Sequence, residues 1–304
     1  MPGTQPSAST DSSSTNSWSV HPSSAEEASI VARRDAFTAL HRQGCFVIPN
    51  PWDVGSARFL ASLGFEALAT TSGGMANGLG LADGDPALGL DEVLNHIGLI
   101  AGATDLPVNA DFEDGHAPDA AGVAANVALC VARGVAGLSI EDSTGDRERP
   151  LRSIEESVER VAAARAAIDD SGAQVLLTAR AECHLTGHPD PLAESLRRLE
   201  AYAEAGADVL YAPGPVAPAA IAAIVEVADG LPVNVLALAA SPGVAHLAEL
   251  GVRRISLGSG LAKAAWGGLE RAALTIRDAG DFSILSQGPA TDLNALLRTR
   301  SDLS

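Results

Sequence analysis

From residue 28 onward, short apolar, β-prone runs alternate with longer Ala-rich segments that carry helical spacing. The apolar runs are Cys45–Ile48, Ala67–Thr71, Pro107–Asp111, Gly137–Glu141, Val175–Ala179, Val209–Ala212, Pro232–Leu236 and Arg254–Leu257. Helical stretches lie between them, among them Val54–Leu63, Asp91–Ala103, Ile154–Ile168 and Leu192–Ala205. Several of these helices end on a glycine just ahead of the next run, as in Leu63-Gly64-Phe65, Arg133-Gly134-Val135, Ala205-Gly206-Ala207 and Leu250-Gly251-Val252. A glycine that closes a helix and leads into a strand is the joint of βαβ units, whose right-handed crossovers build a parallel sheet. Eight units over about 250 residues predict a (β/α)8 TIM barrel. An open doubly wound sheet would need a GxGxxG turn after its first strand; Ser72-Gly73-Gly74 lacks that spacing. An additional C-terminal helix, about Thr291–Arg298, follows a Gly-Pro break and is expected outside the barrel or on a neighbouring subunit.

Ahead of this pattern, residues 1–27 are rich in Ser, Thr, Pro and Ala and contain no Lys or Arg. Such a segment buries too little apolar surface to offset its ordering entropy, so a disordered tail is expected. It has neither the basic nor the apolar stretch of a signal peptide. Residues 28–304 are expected to form one barrel domain with a C-terminal helical extension.

Composition narrows the function classes. No apolar run approaches the roughly 20 residues that span a bilayer, so no membrane partner is expected. The formal charge is −18, which repels phosphate backbones and argues against nucleic acid. An anionic substrate would then need specific Arg residues or a bound divalent cation to reverse the local field. Lys263, the only lysine, follows the eighth run, which disfavours Schiff-base chemistry on a barrel strand. Cys45, Cys130 and Cys183 form no disulfide or zinc pattern, and a reducing, cytoplasmic setting is expected.

In such barrels the chemistry gathers at the C-terminal ends of the strands. Those ends carry Asn50 and Asp53, Ser72-Gly73-Gly74 with Asp83 and Asp85 beyond, Asn109 to Asp114, Glu141-Asp142, Arg180 to Glu182, Asn234, and Gly258-Ser259-Gly260. Several anions at one mouth repel one another unless a cation is bound. Oxygen donors without His or Cys partners favour Mg2+, with Mn2+ possible, over zinc. A 2-oxo acid offers two chelating oxygens, and the metal would act as a Lewis acid on a developing enolate. Arg180 could grip the acid's carboxylate, with Ser72 and the amides of Gly73 and Gly74 at its other end and Asn234 also in reach.

Five stretches together carry a resemblance: Ser72-Gly73-Gly74, Gly80-Leu81-Ala82-Asp83, Asn109-Ala110-Asp111, Gly137-Leu138-Ser139-Ile140-Glu141-Asp142 and Thr178-Ala179-Arg180. They resemble the successive motifs of the isocitrate lyase/phosphoenolpyruvate mutase superfamily, over about residues 30–275. The resemblance implies a (β/α)8 barrel, Mg2+, homotetramers (or another homo-oligomer such as a dimer) with an exchanged helix, and C–C or C–P chemistry at 2-oxo or 2-hydroxy acids. By position, Asp83, Asp111 and Glu141 resemble the metal-site acids, and Ser72, Gly73, Gly74 and Arg180 the substrate-anion binders.

The departures bear on the substrate. The family's Asp-x-Asp reads Asn109-Ala110-Asp111; Asn109, Glu113 and Asp114 are expected just behind the metal's direct ligands, where Glu113 and Asp114 would compensate the lost charge. The Cys- and His-bearing loop of the lyases is Ser143-Thr144-Gly145-Asp146-Arg147-Glu148-Arg149-Pro150, so the proton donor is unassigned. His116, with an ordinary pKa near 6.5, is the candidate base. Oxaloacetate, phosphonopyruvate and a methylisocitrate-like acid are candidate substrates. The leading expectation is a C–C lyase acting through an enolate. Its alternatives are a phosphonopyruvate-type mutase or hydrolase, and a barrel that binds a 2-oxo acid without catalysis.

Simpler roles stand beside these. Asp111 and Glu141 could be helix caps at strand ends, Asp53 could cap the following helix, and Arg180 could pair with Glu182. Cys183 reads as a small semi-buried residue, and His96 and His246 as surface residues on helices.

Overall fold

A computed structural model describes residues 23–84 and 87–298. The eight strands are β1 (Phe46–Ile48), β2 (Leu68–Ala69), β3 (Val108–Asp111), β4 (Gly137–Glu141), β5 (Leu176–Arg180), β6 (Val209–Tyr211), β7 (Val233–Leu236) and β8 (Arg254–Ser256). All are parallel, in the order β1-β8-β7-β6-β5-β4-β3-β2. Two bonds draw β2 toward β1: Ala69 N donates to Pro49 O at 3.0 Å, and Asn50 Nδ2 donates to Thr70 O at 2.9 Å. Asn50 Oδ1 also accepts from Leu257 N at 2.9 Å, so one buried carboxamide ties β2 to the end of β8. The result is the nearly closed (β/α)8 barrel that the alternating pattern predicts.

The helices are α1 (Ser24–Arg42), α2 (Val54–Ser62), α3 (Ser72–Gly78), α4 (Leu90–Ala101), α5 (Ala120–Val131), α6 (Ile154–Asp170), α7 (Pro191–Glu204), α8 (Pro218–Val227), α9 (Val244–Glu249), α10 (Gly260–Ala279) and α11 (Leu293–Leu297). Their buried faces and the strands form one large core. Asp53 caps α2 reciprocally with Ser56, the capping role weighed for it above. The final helix, α11, is shorter than expected and lies against α2. The tail expected over residues 1–27 falls outside the described residues as far as Pro22, and Ser24 to Glu27 already belong to α1.

Helix α1 closes the N-terminal end of the barrel. Phe37 is fully buried in a second apolar cluster with Phe46, Ile48, Ala67, Ala69 and Ala136. Gly137 permits this approach: a Cβ there would meet Phe37 Cε1 and Asn109 Oδ1, each at 2.7 Å. Arg33 donates to Ala101 O at 2.7 Å and Arg34 to Val131 O at 3.0 Å, placing cations on the C-terminal ends of α4 and α5. With one end closed, the other remains open for chemistry.

Candidate active site

The open end holds a cleft of about 490 Å3, lined by Ser72, Asp83, Asp111, Glu113, Asp114, Glu141, Arg180 and Glu182 among others. The three acids read as metal ligands, Asp83, Asp111 and Glu141, all face it. Asp85 lies outside the described residues. Among the described residues, however, no three Asp, Glu, His or Cys side chains stand close enough together to hold a metal ion.

Arg180 organises the acids instead. Its Nη1 lies 3.0 Å from Glu141 Oε2 and 3.4 Å from Asp111 Oδ1, and its Nε donates to Glu182 Oε1. Burial works against its charge, but Glu141, Glu182, Tyr211 and Asp111 outweigh that and raise its pKa well above the ordinary value. The Tyr211 ring lies 5.5 Å from its guanidinium carbon. Three acids hold Arg180: Glu182, the partner weighed for it above, and Glu141 and Asp111 as well. Burial also drives the Glu141 carboxyl well above the usual range, opposed by Arg180 and reinforced by Glu182, Asp111 and Glu113.

The turn after β2 has a local cause. Ser72 donates to Asp111 Oδ2 from its amide at 3.0 Å and from its hydroxyl at 3.1 Å. Gly74 N donates to Thr71 Oγ1, the N-cap of α3, at 3.2 Å. Gly73 and Gly74 are buried and do not line the cleft. The anion-binding role expected of the Gly74 amide is thereby taken by a cap. Their small size is used: a Cβ on Gly73 would meet Asp83 Oδ2 at 2.6 Å, and one on Gly74 would meet Thr71 Cγ2 at 2.6 Å.

After β3 the backbone takes left-handed conformations at Glu113 (φ 46°) and His116 (φ 51°), unusual for residues with a Cβ. They bring His116 Nε2 to 3.4 Å from Glu113 Oε2. Burial, then Asp111, Asp83 and Asp114, push the Glu113 carboxyl up to about 7. Burial lowers the His116 pKa against the pull of Asp114 and Asp111. Asp114 is held by Arg152 at 2.7 Å, so it anchors the loop while facing the cleft. Ser143, Thr144 and Gly145 line the cleft beside this loop, Arg152 donating to Ser143 O as well.

Asn234 and Asn109 sit elsewhere than expected. Both are buried inside the barrel, below the cleft. Asn234 Oδ1 accepts from Arg254 Nε at 2.9 Å and its Nδ2 donates to Ser256 Oγ at 2.9 Å, so its amide is engaged within the barrel. Asn109 Oδ1 lies 3.4 Å from Arg254 Nη1. His96, expected at the surface, lines the cleft, with Nε2 2.9 Å from Trp52 O. Its signal was present: it shares the face of α4 that buries Val93, Ile97 and Ile100. His246 is exposed on α9. Cys183 is fully buried, not semi-buried, with its thiol pushed up to about 11 chiefly by burial.

Known proteins share this chain's sequence and fold. The family model for phosphoenolpyruvate phosphomutase matches residues 37–277. A solved structure from Burkholderia cenocepacia J2315, whose assignment as a lyase/mutase is itself provisional, is 43% identical, with a TM-score of 0.83 over 88% of this chain and 96% of that one. The 2-methylisocitrate lyase of Escherichia coli strain K12 is 32% identical over 66% of this chain and 67% of its own. The oxaloacetate decarboxylase of Paraburkholderia xenovorans strain LB400 is 31% identical over 73% of this chain and 74% of its own.

Proposed function

The chain belongs to the phosphoenolpyruvate phosphomutase family, within the isocitrate lyase/phosphoenolpyruvate mutase superfamily of lyases and mutases, and on that premise we propose a Mg2+-dependent lyase that cleaves a C–C bond of a small 2-oxo or 2-hydroxy carboxylic acid through an enolate. The observation that carries this reading is the excess of acid in the cleft. Asp83, Asp111, Glu113, Asp114, Glu141 and Glu182 face it, while Arg180 is paired to three of them. Burial and mutual repulsion raise the proton affinities of Glu113 and Glu141, the mark of a site short of positive charge.

The donor set fits Mg2+ in chemistry, being carboxylate oxygen throughout. It fits as a loose set, because the acids must close around the ion. Asp83 lies against the bare Cα of Gly73, which gives it room that a larger residue would take. Asp83, Asp111 and Glu141 would hold the ion, and Mg2+ there would supply Lewis-acid stabilisation of the oxygen on which charge develops.

The chain's own residues do the rest. Ser72 fixes one oxygen of Asp111 and Arg180 the other, which orients that carboxylate. Release of some of its partners would free Arg180 to meet a substrate carboxylate. Glu113 Oε2 and His116 Nε2 stand 3.4 Å apart, with Nε2 making no hydrogen bond among the described residues, so either group could close on the other or on the substrate and deliver a proton to the enolate carbon. The wall formed by Ser143, Thr144, Gly145 and Leu185 limits access of water. The test is an assay of EDTA-stripped enzyme against oxaloacetate and 2-methylisocitrate. Turnover should vanish without metal and return with Mg2+ or Mn2+; undiminished turnover in EDTA would sink the reading.

A second reading, C–P bond mutation or hydrolysis, draws support from the family model itself. Phosphonopyruvate followed by 31P NMR decides it: unchanged phosphorus signals dismiss that chemistry. Turnover of any 2-oxo acid that is lost in Arg180→Ala excludes a barrel that only binds.

A further inference from the structure

Below the cleft, inside the barrel, lies a second cavity of about 50 Å3 that shares Thr70, Asp111 and Arg180 with the cleft. At its base is Arg254, 3% exposed, on β8. No ion pair among the described residues involves this guanidinium. Its partners are neutral: Asn234 Oδ1 and Thr178 Oγ1 at 2.9 Å, Asn109 Oδ1 and His41 Nε2 at 3.4 Å. His41 is neutral as well. Its Nδ1 donates to Phe37 O at 2.8 Å, so Nε2 is the bare nitrogen, and burial, with Arg254 next, pushes its pKa down to about 3. Five guanidinium N–H groups thus meet four acceptors, two of them at the limit of hydrogen bonding.

The cavity wall also has more donors than acceptors. Arg254 donates to Asn234, Asn234 to Ser256, and Ser256 to Tyr211 Oη at 3.5 Å. That sequence leaves the Tyr211 hydroxyl hydrogen without an acceptor among the described residues. Thr70 Oγ1 accepts from Asp111 N at 2.8 Å, and its own hydrogen is likewise without one. The one acid on the wall, Asp111, has both oxygens engaged by Ser72 and Arg180. A buried, uncompensated cation ringed by spare donors is the chemistry of an anion site.

We propose that this cavity is a subsite for one small monovalent anion of about halide or formate size, held by Arg254 and the Tyr211 hydroxyl. Its volume admits a few water-sized atoms. The anion is either free in solution or the carboxylate end of an acid seated in the cleft above. The proposal does not rest on the metal or the reaction, so it can fail while the proposed function stands, and the reverse.

The test uses the intact protein. Crystals soaked in sodium bromide should show an anomalous peak within hydrogen-bond distance of Arg254 and Tyr211 Oη. At constant ionic strength, millimolar bromide or formate should raise Tm saturably, and by less in Tyr211→Phe. Tyr211→Phe, which removes only a hydroxyl, should weaken bromide binding about tenfold, and Arg254→Met should abolish it if it folds. Adding pyruvate separates the sources: loss of the peak assigns the cavity to a carboxylate end, and its retention to a free anion. Water alone in the cavity, with no saturable rise in Tm, overturns the proposal. So does a peak that Tyr211→Phe leaves unchanged, which marks an adventitious ion only.

Discussion

At the scale of single residues, Arg180 carries the most. Its removal leaves Glu141, Glu182 and Asp111 facing one another without their cation. Breaking a buried ion pair from one side costs about 3–5 kcal/mol, and Arg180→Met should show this in urea unfolding along with loss of turnover. Adding Mg2+ should restore part of the stability, since a divalent ion meets the same charge. Two titrations predict the pH profile. His41 has its pKa pushed down to about 3 from 6.5, so its contribution is complete above pH 6.5 and is lost as pH falls toward 3. Glu113 is pushed up to about 7 from 4.5, so its contribution is complete below pH 4.5 and is lost as pH rises through 7. Thermal unfolding across this range should therefore fall at both ends, and Glu113→Gln should weaken the alkaline limb, to which Glu141 also contributes, while leaving the acid limb unchanged. At Gly73, a methyl group would press on Asp83 at 2.6 Å. Gly73→Ala should keep the fold and raise the Mg2+ concentration needed for half-maximal activity, measured by metal titration.

At the scale of elements, the strands were legible to within a residue or two of their ends. Gly137–Glu141 begins and ends where its apolar run does, because Gly134 ends the preceding helical turn and Glu141 is the first polar residue at the mouth. The acids of the mouth were legible for the same reason: strand ends carry them, and a parallel barrel puts every such end on one face. What escaped the sequence depends on which side chains meet across the barrel. Asn109, Thr178, Asn234 and Arg254 come from four strands and converge only when the sheet closes. No spacing along the chain encodes that meeting, so Asn234 and Asn109 read as mouth residues when they are interior ones. Arg180 and Glu182 were legible as a pair, but not the capture of Glu141 and Asp111 by the same guanidinium. A prediction belongs to this scale too. Asn50→Ala would leave Thr70 O and Leu257 N without partners in a buried place. Each such group costs about 1–3 kcal/mol, which denaturant unfolding should register.

At the scale of the whole molecule, the last part of the chain is conspicuously apolar on its outside. Trp266, Leu269, Phe282 and Leu285 are 49%, 58%, 67% and 63% exposed on α10 and the turn after it. Apolar side chains clustered this openly are usually covered by another surface. Light scattering should report a mass above the 30.8 kDa of one chain, and Phe282→Glu with Leu285→Glu should shift it toward that value. Among the described residues no helix is long and apolar enough to cross a membrane.

The barrel is not equally strong around its circumference. Seven strand pairings are ladders of two to five registered residue pairs, while β1 and β2 are joined through Ala69 and the Asn50 carboxamide. That side is a seam, and a seam is where a cylinder breathes. Exchange of the Ala69 amide with deuterated solvent should outpace that of the β4 amides, because opening there breaks the fewest bonds. Ser72 and Asp111 lie just beyond β2, so the same motion would loosen and reset one edge of the cleft. A ligand that binds to Asp111 would then slow exchange at Ala69 without touching it.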